Sequence, residues 1–359
     1  MNDLVPTGPD AGHRIELRSD NAAGAAPELL AAVAAANTGS ALAYGADAWT
    51  RRLEEKVAAV FEREPGRDAV RVFPVVSGTA ANALGLSALC PPWGAVLCHE
   101  SAHILRSECG ASSLLGGGLQ LRGLPGPGSK LTVESLAQAF AATNWGDNHH
   151  AQPSVLSLTS PTDLGAVYTV AEVSALAATA RERGLRVHLD GARLANAVVA
   201  LGCTPAELTW RAGVDLVSLG ALKNGGISCD AIVCFDEAAA AELHYRTKRA
   251  GHVASKMRFQ SAQLDAYLSD GLWLQLAARA NAAMARLTAG LDRLGVAVLV
   301  RPAVNMVFVR LDERVAGALD AAGVDFYRMG AGTARFVTSW QSTDADIDTV
   351  LDRLAVALR

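Results

Sequence analysis

The chain reads as an α/β protein, with a mostly parallel sheet in a large domain over residues 15–260 and a small C-terminal α+β domain over residues 261–359. Three observations predict this. Short, unalternating apolar runs such as PSVLSLTSP, LRVHL and VDLVSLGA recur between helical segments, as strands buried on both faces by crossover helices do. After about Gln260 the rhythm changes to a long helix followed by strands and shorter helices. At 359 residues the chain also exceeds the size at which one core stops growing, which favours two packed units.

The elements follow in order. Residues 1–14, MNDLVPTGPDAGHR, are polar and read as a flexible arm. From Ile15 an extended piece leads to an Ala-rich helix starting near Pro27, and WTRRLEEKVAAVFERE carries apolar residues at helical spacing. VRVFPVV is a strand that runs through a turn into the helix SGTAANALGLSAL, and AVLCHE and GGLQLRGL are short strands. LTVESLAQAFAAT is a helix with Thr132 as N-cap and Glu134 in its first turn. The strand PSVLSLTSP precedes the helix VAEVSALAATARERG, which stops at a glycine. Strands ending near Asp190 and before Lys223 come next, then DAIVCFD. In the second unit GLWLQLAARANAAMARLTAGLDRLG is a long helix. The strands VAVLV and VNMVFVRL, a helix from Asp312, the strand TARFVTSW and the helix TDADIDTVLDRLAVAL complete it.

Composition narrows the function. Hydrophobic residues make up 50% and charged residues 19%, a globular balance. A net charge of −4 without a basic stripe argues against nucleic acid as a partner. No apolar run reaches membrane-spanning length, and the start lacks the apolar core of a signal peptide. Cys90, Cys98, Cys109, Cys203, Cys229 and Cys234 form no CxxC pair, so they are expected to be reduced and buried, with no disulfide framework and no metal. The expectation is a cytoplasmic enzyme.

Chemistry concentrates in one β-α-β unit. Asp190, in GLRVHLDGAR, and Lys223, in VSLGALKNGG, each follow a buried strand, with a mainly helical segment between them. A right-handed crossover puts both at the same carboxyl edge of a parallel sheet. A carboxylate and an amine at neighbouring strand ends meet the needs of pyridoxal phosphate: the lysine carries the cofactor as a Schiff base and the carboxylate pairs with the pyridinium nitrogen. Alone, each is an ordinary surface residue. Ser77-Gly78-Thr79, between a strand and a helix, adds a phosphate cradle, although by itself the turn is equally a plain helix cap. His103, just past a strand, is placed to stack on a cofactor ring, while Glu108 has no assigned role. His149 and His150 precede PSVLSLTSP and offer a proton acceptor near neutrality. Arg193 and Arg335 offer bidentate forks for a substrate carboxylate.

The segments LRSDN, AYGAD, SGTAAN, AHILRSECGA, VHLDGARLANA, SLGALKNGG, AGHVASKMRF, VNMVFV and ARFVT occur in this order. In them the chain resembles the low-specificity L-threonine aldolases, fold-type I pyridoxal phosphate enzymes of the β-eliminating lyase group. The resemblance runs from about Ile15 to Leu354. It implies a homotetramer of two dimers, with each active site at a dimer interface. It also implies Lys223 as the Schiff-base lysine, Asp190 as the pyridinium partner, Gly78 and Thr79 as phosphate ligands beside Ser77, and His103 as the ring-stacking histidine. Arg193 and Arg335 resemble the carboxylate clamp, with Ser19 helping, and Tyr44 the residue that reaches in from a neighbouring subunit. His149, eight residues before Ser157, matches the histidine near the substrate hydroxyl, with His150 second. The chain departs from the family where YGDD becomes Tyr44-Gly45-Ala46-Asp47, RSDT becomes Arg18-Ser19-Asp20-Asn21, a late histidine becomes Ser339 and NTHN becomes Ser160-Pro161-Thr162-Asp163. These changes touch substrate-side loops and leave the cofactor anchor intact.

The expected reaction is retro-aldol cleavage of a β-hydroxy-α-amino acid to glycine and an aldehyde, with His149 taking the hydroxyl proton. Threonine, allo-threonine and phenylserine are substrates of this type. Transaldolation, β-elimination and transamination are alternatives, because one scaffold hosts many reactions. A cofactor-binding protein without turnover is a further one.

Overall fold

The computed structural model describes residues 14–63 and 70–359, so the expected N-terminal arm lies outside the described residues except for Arg14. The first eight strands are β1 (Ile15–Glu16), β2 (Arg71–Val75), β3 (Gly94–His99), β4 (Gln120–Leu124), β5 (Gln152–Thr159), β6 (Arg186–Gly191), β7 (Leu216–Leu219) and β8 (Asp230–Cys234). Seven of them form one sheet in the order β2-β8-β7-β6-β5-β3-β4. β7, β6, β5, β3 and β4 are parallel neighbours, and β8 runs antiparallel to both β2 and β7. Every residue of β3, β7 and β8 is buried, which explains why these strands read as unbroken apolar runs.

The remaining strands are β9 (Val298–Val300), β10 (Met306–Arg310), β11 (Val324–Asp325), β12 (Tyr327–Arg328) and β13 (Thr333–Val337). Four of these make an antiparallel sheet in the order β12-β13-β10-β9, while β11 pairs in parallel with β1. The start of the chain thus joins the C-terminal unit. Ile15 and Leu17 pack in one core with Val307, Phe336 and Leu354. Residue 260 falls inside the helix Arg258–Leu268, whose buried Leu264, Tyr267 and Leu268 belong to the core of the large sheet. The change from one core to the other comes along the helix Leu272–Arg293. Its first turns pack Trp273 and Leu276 with the large sheet, and its later ones pack Met284 and Leu287 with the small one.

Register brings the site together. Thr159 at the end of β5 pairs with Asp190 of β6, and Asp190 pairs with Ser218 of β7. The chain leaves β7 at Leu219 and reaches Lys223 within four residues, so amine and carboxylate share the carboxyl edge. Gly220 makes that turn possible. A Cβ there would lie 2.2 Å from the backbone oxygen of Ala192 and 2.6 Å from its carbonyl carbon. Backbone cannot yield as a side-chain end does, so Gly220→Ala should push the β6 and β7 exits apart. A loss of about 1–3 kcal/mol in denaturant-induced unfolding is expected. Unchanged stability would mean that this approach is not tight.

Candidate active site

The ends of β5, β6 and β7 and the start of the helix Gly78–Leu89 enclose a cavity of about 320 Å³, closed on the small-unit side by Met306 and Arg335. Ser19, Ser77, Gly78, Thr79, His103, Asp190, Arg193, Lys223 and Arg335 all line it. Asn82, Glu108, Asp163 and Asp230 line it as well; of these the sequence had placed only Asp163 on a substrate-side loop, and it had given a role to none.

Asp190 is only 3% exposed and is held from two sides. Its Oδ1 accepts from the Ala192 amide at 3.1 Å, and its Oδ2 accepts from Asn82 Nδ2 at 3.0 Å. The same Asn82 nitrogen donates to Glu108 Oε1 at 2.8 Å, and that oxygen lies 2.8 Å from His103 Nδ1. A buried polar chain therefore links the His103 imidazole to the Asp190 carboxylate of the pocket floor. The Glu108 hydrogen bond, opposed by partial burial, raises the His103 pKa above its ordinary value of 6.5. Beneath Asp190, fully buried His188 lies between Ser157 and Ser218, and burial lowers its pKa to about 4, so it packs as a neutral ring.

The Lys223 turn is fixed by Asp230, whose Oδ1 accepts from the amides of Ala221 and Leu222 at 2.7 and 2.9 Å. Asn224 anchors its far side to Tyr267 Oη and the Trp273 carbonyl. The positive charge of Arg193, followed by burial, lowers the pKa of the Lys223 amine. Opposite stands the cradle. Ser77 caps the helix through the Ala80 amide at 3.3 Å, while the amides of Gly78 and Thr79 donate to no described residue. A Cβ at Gly78 would meet no atom closer than Asp230 Oδ2 at 3.6 Å, so the space over this backbone is open to a ligand.

The two arginines differ. The Arg193 fork is already filled: Nε and Nη2 donate to Asp20 Oδ2 and Oδ1 at 2.5 and 2.8 Å. Burial opposes the Asp20 charge, yet Arg193 holds that carboxyl below its ordinary pKa. The fork expected to clamp a substrate is thus committed to a protein carboxylate. Arg335 is the open one. It leans over the Tyr327 ring at 4.9 Å, Nη2 donates to the Arg18 carbonyl at 3.3 Å, and buried Nε lacks a partner.

His149 and Tyr44 are not in the cavity. His149 lies on the turn before β5, beside Trp93 and Gly146. Counting back from Ser157 leads to the amino end of the strand, and eight residues at ~3.3 Å each put about 26 Å of strand between it and the carboxyl edge. His150 shares that turn and pairs with Asp147 at 3.0 Å. The expectation that His149 serves the pocket of its own chain is corrected accordingly. Tyr44 is exposed at 58%, with Lys248 over its ring at 4.4 Å. All six cysteines are free, but Cys109 is exposed and Cys203 half-buried, against the expectation that all are buried. Among the described residues no group of three or more His, Cys, Asp or Glu side chains could hold a metal ion.

The donor set suits pyridoxal phosphate: free amides and open space for a phosphate, a fixed buried carboxylate for the ring nitrogen, and an amine of lowered basicity for the carbonyl carbon. Fold and site together define a fold-type I pyridoxal phosphate enzyme. Comparison with known proteins narrows this further, because the model of the beta-eliminating lyase family matches residues 16–314, and the chain belongs to that family. It is 41% identical over 335 residues to a low specificity L-threonine aldolase of Pseudomonas sp., covering 92% of this chain and 94% of the relative. A second such aldolase, from Pseudomonas aeruginosa, is 42% identical over 341 residues, with 94% and 95% covered. The solved threonine aldolase of Leishmania major superposes with a TM-score of 0.89 at 25% identity, covering 96% of this chain and all (100%) of that one.

The raised pKa of His103 has a definite sign. Its charged form stabilises the fold fully below the unfolded value near 6.5, and that contribution is lost as the pH rises through the raised value. Glu108→Gln should therefore return the His103 titration, followed by NMR of its ring protons, towards 6.5. An unmoved titration would remove Glu108 as the cause.

Proposed function

We propose that this chain is a pyridoxal phosphate-dependent lyase that cleaves β-hydroxy-α-amino acids of the threonine, allo-threonine or phenylserine type to glycine and an aldehyde. The observation that carries the reading is the placement of buried Asp190 and a Lys223 of lowered basicity at one sheet edge around one cavity, in a member of the beta-eliminating lyase family. When bound, the cofactor supplies an electron sink for the charge left on Cα as the Cα–Cβ bond breaks.

The chain's own residues do the rest. The amides of Gly78 and Thr79, with the Ser77 and Thr79 hydroxyls, hold the phosphate at the helix start. Asp190, oriented by Asn82 and the Ala192 amide, keeps a proton at the ring nitrogen. His103, fixed by Glu108, would hold the ring by stacking on it. Lys223, its basicity lowered by Arg193 and burial, would supply the amine that anchors the cofactor. Arg335, with Ser19, binds the substrate carboxylate and so fixes which bond at Cα can break. Arg193 supports that clamp through its charge while its fork holds Asp20. The reading extends to a cytoplasmic homotetramer with sites at dimer interfaces. Free cysteines throughout support a reducing compartment, and exposed Tyr44 is available to a neighbouring copy. Among the described residues no helix is long and apolar enough to cross a membrane.

The test is a panel of β-hydroxy amino acids with glycine and aldehyde release as the readout, and absence of glycine from every member would overturn the reading. Two variants check the assignments. Lys223→Ala should lose the covalent cofactor link that borohydride traps in the wild type. Arg335→Ala should weaken glycine binding about 10- to 100-fold, the loss of a charge-assisted pair, with KM for threonine rising in step. Wild-type glycine affinity in Arg335→Ala would move the clamp elsewhere.

A further inference from the structure

We propose that Asp163 is the group that takes the proton from the substrate's β-hydroxyl, a catalytic role resting on the aldolase reading above. Asp163 lines the same cavity as Lys223, His103 and Arg335. Every other carboxylate there is engaged: Asp20 with Arg193, Asp190 with Asn82 and the Ala192 amide, Glu108 with His103 and Asn82, and Asp230 with the Ala221 and Leu222 amides. Asp163 alone among them makes no side-chain hydrogen bond or ion pair with a described residue. An ionised carboxylate is purely an acceptor, so its unfilled oxygens await a donor from the ligand. A β-hydroxyl is such a donor.

Its mount is rigid. The Thr162 amide donates to the Ala166 carbonyl at 2.7 Å and the Gly165 amide to the Thr162 carbonyl at 2.8 Å, closing a tight turn around Asp163. Thr162 Oγ1 accepts from the Ala166 amide and donates to the Gly128 carbonyl. Leu164 packs on Met306, Phe308 and Val337 of the small sheet, and the Ser160 amide donates to the Asp190 carbonyl at 3.0 Å. The carboxylate is thus tied to the strand that carries Asp190.

The surrounding charges suit a proton acceptor. Burial, then the charge of Asp190, raises the Asp163 pKa, while His103, Arg193 and Lys223 oppose the rise and Arg335 also faces the group. A carboxylate pushed upward accepts a proton near neutrality better than an ordinary one. His149, the other candidate, lies at the opposite end of β5 in the same chain.

The step balances without a further reactant. The hydroxyl proton passes to an Asp163 oxygen, the C–O bond becomes the aldehyde carbonyl, and the Cα–Cβ bond breaks with its electron pair left on the glycine half. Return of a proton to Cα completes glycine and restores the carboxylate.

The experiment compares the wild-type holoenzyme with Asp163→Asn and Asp163→Ala, using threonine turnover, glycine binding and formate rescue as readouts. Asp163→Asn should lose about 10²- to 10⁴-fold in kcat, the usual contribution of a positioned base, and its residual rate should lose any acid limb of the pH profile. Glycine has no β-hydroxyl, so its Kd, from calorimetry or the spectral change on binding, should stay within about threefold. Formate, a small acceptor that fits the space left in Asp163→Ala, should restore at least ~10-fold of the lost rate. Near-normal kcat in Asp163→Asn overturns the inference, as does glycine binding that falls in parallel with turnover. A wild type that releases no glycine overturns the aldolase reading and this inference with it, whereas an active wild type matched by Asp163→Asn overturns the inference alone.

Discussion

The structure turns on a buried guanidinium. Arg193 leaves the end of β6, and its fork grips Asp20 from the N-terminal turn, while Asn305 at the start of β10 donates to the same carboxylate at 3.0 Å. Three separated parts of the chain meet at one ion pair. Removing either charge would leave the other buried and unpaired, a loss of about 3–5 kcal/mol in comparable cases. Backbone bonds reinforce the junction, from Val337 to the Leu17 carbonyl and from Thr338 to the Asn305 carbonyl. Arg193 also acts at a distance, because its charge is the largest cause lowering the basicity of Lys223. An amine that sheds its proton more readily is a better nucleophile, so one residue both joins the two units and prepares the reactive group.

A second line of order runs across the pocket floor. The helix Gly78–Leu89 is buried from Ala80 onward, which leaves Asn82 little freedom. Its amide nitrogen faces both Glu108 and Asp190, and through Glu108 it reaches His103. The groups expected at the edge and at the face of the cofactor ring are positioned by a single side chain. Glu108 Oε2 and Asn82 Oδ1 are buried without partners, which makes this chain sensitive to any change in the protonation of its members.

Much of this was legible in the sequence. Buried parallel strands announce themselves as apolar runs, and a β-α-β crossover has one hand, so Asp190 and Lys223 could be set at one edge from their order alone. The cradle and both arginines followed from residue type and the family resemblance. The fork of Arg193 did not, because its partner Asp20 lies 173 residues away and no periodicity links them. Asn82 had a faint signal, lying one helical turn beyond Gly78 on the same face. Glu108 had none: left-handed Cys109 and Gly110, at φ 51° and 74°, mark a bend that apolar spacing does not encode. His149 precedes β5 and so lies at the amino end of that strand, away from the cavity of its own chain; the match by residue type and spacing took no account of that end. The two-residue strands β1 and β11 carry too few residues for any pattern, so the return of the chain's start to the C-terminal unit was invisible.

Charge balance explains why the pocket tolerates so many carboxylates. Asp20, Asp190, Glu108, Asp163 and Asp230 face Arg193, Lys223, Arg335 and His103 in one small volume. A phosphate and a substrate carboxylate add negative charge there, and the protein must absorb it. Asp20 keeps its charge through Arg193. Asp163 and Asp230 are the two whose affinity for a proton is raised, in both cases first by burial. Asp230 sits against the phosphate cradle at Gly78, so an incoming phosphate favours its protonated form further. Its Oδ1 can go on accepting from the Lys223 turn in that form while Oδ2 carries the proton. The two carboxylates of raised proton affinity thus face different needs, Asp230 beside the fixed anion of the cofactor and Asp163 beside the transient proton of the substrate. Their environments separate a carboxylate engaged by the backbone of the Lys223 turn from one whose oxygens are open to the substrate.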